Sequence, residues 1–226
     1  MPSCLITAVN RGIGHELARA ALASGWTVYG SVRSSDLVSE TADRLGKGFR
    51  PLVFDVTNHA GVRKAAAGLA APLDLLINNA GVIGPERQSA LNMDFDSFAQ
   101  TLAVNTLAPL AVSQAFLPHL RRSGAGRILT ISSQMAWMGY RKSDRLAYRA
   151  SKAAVNKVMQ CLATDLEADG IPVVLVDPGW VRTDMGGPEA EHEAANVARG
   201  TLELADRLSL ADTGRFFKWN GEERPF

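Results

Sequence analysis

The chain has 226 residues, a length that suits one domain better than two. Apolar residues make up 46% and charged residues 21%, the balance of a folded globular protein, which excludes wholesale disorder. Lys+Arg 24 against Asp+Glu 23 leaves a formal charge of +1, so the overall electrostatics give no reason to expect nucleic acid as a partner.

The opening Met1-Pro2-Ser3 stretch lacks the basic region and long apolar segment of a secretory signal. No uninterrupted apolar run of about 18 residues marks a membrane span, so no membrane partner is expected. The two cysteines, Cys4 and Cys161, both lie in apolar segments and are expected as buried thiols rather than a disulfide scaffold. The expectation is a cytoplasmic protein.

In chain order, short apolar runs alternate with stretches of helical period. The runs Cys4–Thr7, Thr27–Val32, Phe49–Phe54, Leu73–Ile77, Arg127–Ser132, Val173–Asp177 and Arg215–Phe217 are mostly apolar at consecutive positions. That pattern predicts strands covered on both faces. The intervening segments Ile13–Ala23, Asp36–Leu45, His59–Leu69, Phe95–Arg121, Tyr148–Ala168 and Glu189–Leu208 carry apolar residues three and four apart, as in the stripe Val155, Met159, Leu162, Leu166. Strand–helix alternation predicts an α/β fold: a doubly wound, Rossmann-type domain over residues 1–226 with a parallel sheet of about seven strands and helices on both faces. Lys218 to Phe226 reads as a short C-terminal extension.

The first strand feeds Thr7-Ala8-Val9-Asn10-Arg11-Gly12-Ile13-Gly14 and then a helix. Glycines at such a turn let a backbone approach a pyrophosphate, and the helix N-terminus offers free N–H groups; the same glycines can also serve packing alone. The second strand ends Ser31-Val32-Arg33 without an acid, and Arg11 sits in the Gly-rich turn. Two guanidinium groups there would favour the 2′-phosphate of NADP(H) over the free ribose of NAD(H). Asp36, just beyond, is expected as a helix N-cap.

Further on come Asn78-Asn79-Ala80-Gly81 after the fourth strand, Ser132-Ser133 after the fifth, and Tyr148 and Lys152 at the start of a helix. The i, i+4 spacing puts Tyr148 and Lys152 on one helical face, where an ammonium favours the phenolate and brings the phenol's acidity toward neutral pH. Ser133 stands at the carboxyl end of its strand, where open α/β sheets bind ligands.

The ordered set Thr7…Gly12-x-Gly14, Asp55, Asn78-Asn79-Ala80-Gly81, Asn105, Ser133, Tyr148-x-x-x-Lys152 and Pro178-Gly179 resembles the short-chain dehydrogenase/reductase family over Leu5 to Gly221. Asn10-Arg11-Gly12-Ile13-Gly14, the segment Pro178 to Gly187 and the Gly-rich, aromatic tail look most like its C-factor and sniffer-type carbonyl reductases. The resemblance implies that Tyr148 protonates the nascent alkoxide during NADPH-dependent reduction, or acts as base in reverse. Lys152 would lower the Tyr148 pKa and bind the nicotinamide ribose, Ser133 would polarise the carbonyl, and Asn105 would hold a water linking Lys152 to solvent. Thr7, Asn10, Arg11, Gly12, Ile13, Gly14 and Arg33 would form the pyrophosphate and phosphate end. Asp55 and Val56 would hold the adenine, Asn79, Ala80 and Gly81 would border its ribose, and Pro178, Gly179, Val181 and Thr183 would hold the nicotinamide.

Three departures stand out. Ala8 replaces the family's usual first glycine, which costs little if its φ is negative and about 1 kcal/mol or more if positive. Ser133 and Tyr148 are further apart than is common, leaving Ser132 or Ser133 to face the substrate; register favours Ser133. Asp177 ends its strand where this branch often has His, with no evident role.

Gln134, Met135, Trp137, Met138, Tyr140, Trp180 and Met185 are the expected pocket walls, suited to a small apolar aldehyde or ketone. The four histidines, His15, His59, His119 and His192, lack metal-ligand spacing, so no metal is expected. The absence of a Gly-x-Ser-x-Gly elbow disfavours a serine hydrolase. Two function classes remain: a carbonyl reductase, and an NADP(H)-binding signalling or interaction protein of the C-factor type. A homodimer through the helices Phe95–Arg121 and Tyr148–Ala168 is expected from the same resemblance.

Overall fold

A computed structural model describes residues Met1–Phe226. The first half of the chain runs β1 (Ser3–Ile6), α1 (Gly12–Ala23), β2 (Thr27–Val32), α2 (Asp36–Leu45), β3 (Phe49–Val53), α3 (His59–Ala67) and β4 (Leu75–Asn78). A small ribbon, β5 (Gln88–Ser89) and β6 (Asn92–Met93), precedes α4 (Phe95–Leu102) and α5 (Ala108–Ser123). Then come β7 (Arg127–Ile131), α6 (Leu146–Asp165), β8 (Val173–Asp177), a second ribbon of β9 (Val181–Arg182) and β10 (His192–Glu193), α7 (Ala194–Arg207), β11 (Phe216–Lys218) and β12 (Glu223–Arg224).

The sheet order is β12-β11-β8-β7-β4-β1-β2-β3. Seven of these strands are the predicted runs, and all their pairings are parallel. The eighth is unexpected: the tail turns back and adds β12 antiparallel to β11, so the sheet is mixed rather than wholly parallel. At the opposite margin lies β3, which carries Pro51, a residue that an outer strand tolerates because its missing N–H would face solvent.

Strand side chains alternate between two cores. In β1, Cys4 and Ile6 pack with Leu17, Ala21 and Val28 on one face. Leu5 packs with Val112, Phe116 and Val155 on the other. Both faces are therefore covered, which explains the consecutive apolar positions in the sequence. Val155, Met159, Leu162 and Leu166 all join the second core, so this stripe packs on the sheet.

Three local expectations are corrected. Phe95–Arg121 is not one helix, because a π-turn at Ala103–Leu107 interrupts it, with Asn105 inside. Asp36 is the first residue of α2, whose cap position is Ser35. Cys161 is exposed on α6; only Cys4 is buried, and burial pushes that thiol's pKa up. No helix is long and apolar enough to cross a membrane.

Candidate active site

The carboxyl ends of β1, β4, β7 and β8 converge, as strand ends do in parallel sheets, and the predicted residues gather there. Two cavities meet at this edge. One, of about 640 Å³, is lined by Ala8, Asn10, Arg11, Arg33, Asp55, Val56, Asn79, Ala80 and Gly81. The other, of about 520 Å³, is lined by Ile13, Ser133, Tyr148, Lys152, Pro178, Gly179, Val181 and Thr183, and shares Asn79 and Gly81 with the first.

Between them lies the Gly-rich turn. Gly12 has φ +55, and a Cβ on Gly14 would stand 2.2 Å from the Ala8 carbonyl oxygen and 2.4 Å from Asn79 Nδ2. Thr7 fastens the turn to β4: its buried hydroxyl accepts the N–H groups of Asn79 and Ala80, each at 2.9 Å. Asn79 Nδ2 returns a bond to the Thr7 carbonyl at 2.9 Å. At the far end Asp55 accepts the Thr57 N–H and hydroxyl at 2.8 and 2.7 Å, which fixes the loop beside Val56. Arg33 is exposed and free of ion pairs, whereas Arg11 reaches Asp184 at 3.1 Å across the cleft. Arg44, which sequence reasoning missed, donates to the Asn10 carbonyl at 3.1 Å. Gly14 is thus required by packing within the turn itself, and it is the roomy cleft with the Arg11 and Arg33 guanidiniums that fits a dinucleotide.

In the second cavity, Lys152 is 4% exposed. Its ammonium donates to the Ile131 carbonyl at 2.8 Å and lies 5.8 Å from the Tyr148 ring centre. Burial lowers the Lys152 pKa to about 8. Burial also pushes the Tyr148 pKa up; the Ser133 side chain opposes this, the Asp177 charge adds to it, and Arg145 opposes it. The sequence predicts the opposite net direction for Tyr148, from Lys152. In the folded protein desolvation of the phenol outweighs the favourable groups.

Ser132 and Ser133 separate cleanly. Ser132 donates to Asn156 Oδ1 inside the core at 2.5 Å. Ser133 accepts the Met135 N–H at 3.1 Å, and its hydroxyl meets that of Tyr148, so the two hydroxyls stand together in the cavity. Asn105 is held by the π-turn: its amide bridges the Val82 N–H and carbonyl at 2.9 and 2.8 Å and donates to Ser151 at 2.9 Å. A π-turn at such a position is a common way of aiming one side chain at a site.

Of the expected pocket walls, Gln134, Met135, Trp180 and Met185 line the cavity. Tyr140 does not. It is exposed and stacks edge-on against Trp137 with ring centres 5.3 Å apart, so this pair packs on itself, and Met138 is 80% exposed. Sequence reasoning missed Lys142, Asp144 and Arg145, which give the cavity a charged rim.

Residues 3–194 match the family model described as short chain dehydrogenase. The chain belongs to the short-chain dehydrogenase family. It is 42% identical over 157 residues to the C-signal of Myxococcus xanthus, covering 69% of this chain and 93% of that protein. It superimposes on the NADPH-bound carbonyl reductase from chicken fatty liver with TM-score 0.90 at 30% identity, over 100% of this chain and 99% of the other. The carbonyl reductase Sniffer of D. melanogaster gives TM-score 0.94 at 27% identity over 100% of both chains.

Against this family background the Ala8 departure acquires a structural consequence. Ala8 has φ +59, the left-handed region that favours glycine. An L-residue there costs about 1–2 kcal/mol, against roughly 0.4–1 kcal/mol of extra unfolded-chain entropy that glycine brings. Ala8→Gly is therefore expected to stabilise this short-chain dehydrogenase by about 0.5–1 kcal/mol, read as a higher urea midpoint with unchanged slope. A lower midpoint would show that the methyl group packs favourably in the turn.

Proposed function

We propose that the protein is an NADPH-dependent carbonyl reductase in which residues 1–226 act as one cofactor-binding domain, with a small apolar aldehyde or ketone as substrate. The observation that carries this reading is a single cavity lined jointly by Ser133, Tyr148, Lys152 and the Pro178–Thr183 segment, opening beside the Gly-rich turn. Bound NADPH supplies the hydride. Ser133 donates a hydrogen bond to the substrate carbonyl oxygen and holds it facing Tyr148, which delivers the single proton that the developing alkoxide takes up. Lys152 holds the nicotinamide ribose and sustains the charge balance of the phenol, and Asn105 leads from Lys152 toward solvent. Asp55 and Val56 take the adenine, and Arg33 with Arg11 takes the 2′-phosphate. Met135, Trp180 and Met185 supply apolar walls.

The preference for NADPH rests on Arg33, rather than an acid, directly following β2, and on Arg33 standing free of ion pairs at the cleft. The Arg11–Asp184 pair is exposed on both sides and so is weak enough to yield to a phosphate. Fluorescence titration is expected to show NADPH binding about tenfold weaker in Arg33→Ala with NADH binding unchanged, the loss of one charge-assisted contact. Equal losses for both cofactors would refute the 2′-phosphate assignment. A panel of aldehydes and ketones assayed with NADPH tests the activity itself; none reduced at high enzyme concentration removes the reading.

The 42% identity to a protein named C-signal supports a second reading, an NADP(H)-binding signalling module in which turnover is incidental. The homodimer and the cytoplasmic setting remain parts of the reductase reading, the latter in accord with two free thiols.

A further inference from the structure

The tail that sequence reasoning treats as an appendage passes beside the catalytic loops at Trp219 before β12 turns back along β11. The β12 residue Arg224 reaches across β11 to Asp177 Oδ2 at 3.2 Å, and the two side chains are 15% and 3% exposed. Asp177 is the last residue of β8. Its other oxygen, Oδ1, accepts two backbone N–H groups: Gln134 at 2.9 Å and Gly179 at 3.0 Å. The first follows Ser133 directly; the second belongs to the Pro178-Gly179 turn that lines the same cavity. The Asp177 carbonyl in turn accepts the Trp219 N–H at 2.9 Å, so the tail grips this residue twice.

We infer that Asp177, clamped by Arg224, is a positioning residue that locks the Ser133–Gln134 loop and the Pro178-Gly179 turn to one another. The inference deepens the reductase reading and rests on it for its catalytic consequence. A carboxylate is suited to the place because one oxygen can satisfy two amides while the other meets a cation. A histidine there could not accept both N–H groups on one atom in this way. Loss of the clamp lets the two loops move independently, and a displacement of Ser133 by a fraction of an ångström misaligns the carbonyl it is to hold.

The same carboxylate bears on the phenol. Tyr148 is faced by Lys152 on α6, Arg145 at the start of α6, Ser133 after β7 and Asp177 from β8. Lys142 and Asp144 also line this cavity at its rim, with Asp144 paired to Arg149. Asp177 is the buried negative charge, and it disfavours the phenolate, while the Arg224 cation offsets it. Reduction uses the protonated phenol, so its rate falls as pH rises through the Tyr148 pKa. Removing Arg224 alone should move that fall to higher pH, and removing the Asp177 charge should move it to lower pH.

The test compares Arg224→Met, Arg224→Lys, Asp177→Asn and Asp177→Ala with the unaltered protein in carbonyl reduction. It adds hydrogen exchange of the Gln134 and Gly179 amides, which reads the clamp without turnover. Arg224→Met is expected to lower kcat about tenfold with KM for NADPH within threefold, the scale of one charge-assisted hydrogen bond. Arg224→Lys should restore most of it. The pH fall should shift in opposite directions in Arg224→Met and Asp177→Asn, which general loosening of the fold would not produce. Both amides should exchange faster in Asp177→Ala. Unchanged exchange at Gln134 and Gly179 in Asp177→Ala, or pH profiles that do not diverge, would overturn the proposal. If the unaltered protein reduces no carbonyl, the reductase reading fails by itself, and the exchange measurement still decides for or against the clamp.

Discussion

Tyr148→Phe is expected to lower carbonyl-dependent NADPH oxidation by about a thousandfold while leaving NADPH binding unchanged. The substitution removes one oxygen and keeps the ring that packs beside Lys152. Burial holds the phenol's pKa above its ordinary value, so at neutral pH the hydroxyl is protonated and ready to donate. Reduction should therefore be sustained through neutral pH and decline only in alkali, whereas alcohol oxidation, which needs the phenolate, should rise with pH over the same range. Stopped-flow or steady-state absorbance of NADPH checks the first claim and fluorescence titration the second. Retained turnover in Tyr148→Phe would remove the proton-donor role. Turnover lost with biological output intact would favour the signalling reading.

Lys152→Met should cost activity on a similar scale yet make the protein more stable at neutral pH. The ammonium is buried, and its pKa falls from the model-peptide 10.5 to about 8. The unfolded chain thus binds a proton more tightly than the folded one does. At pH values below 8 the folded protein bears the full cost of a buried charge, about 3 kcal/mol. Between pH 8 and 10.5 that cost fades as the unfolded lysine also loses its proton. Methionine removes the charge but leaves the Ile131 carbonyl without its donor, a loss of about 1–2 kcal/mol, so the net gain near pH 7 is about 1–2 kcal/mol. Thermal unfolding across pH decides this: the advantage of Lys152→Met should shrink from pH 8 upward. An advantage that is absent at pH 7, or that grows with pH, contradicts a depressed Lys152 pKa. A residue that weakens the fold and is kept at a site of chemistry is the pattern expected of function rather than packing.

How much was legible in the sequence depended on how each feature is encoded. The parallel strands showed because burial on both faces demands consecutive apolar residues, and Leu5 flanked by Cys4 and Ile6 is such a run. Tyr148 and Lys152 showed because four residues make about one helical turn. The π-turn at Ala103–Leu107 did not, since one extra residue in the turn leaves the apolar pattern on either side intact. β12 escaped notice because two charged residues at a sheet margin carry no apolar signal, and with it went the Arg224–Asp177 contact. Cys161 misled because its neighbours Met159 and Leu162 point inward while it points out. Tyr140 was placed by loop proximity alone, and a loop's aromatic can find a partner within the loop, as it does in Trp137.

Each lateral boundary of the central sheet resists extension. On one side Pro51 interrupts the row of donors that another chain would need, and on the other β12 is only two residues long. Strand-by-strand addition, the usual route to fibrous self-association, therefore has no template at either end.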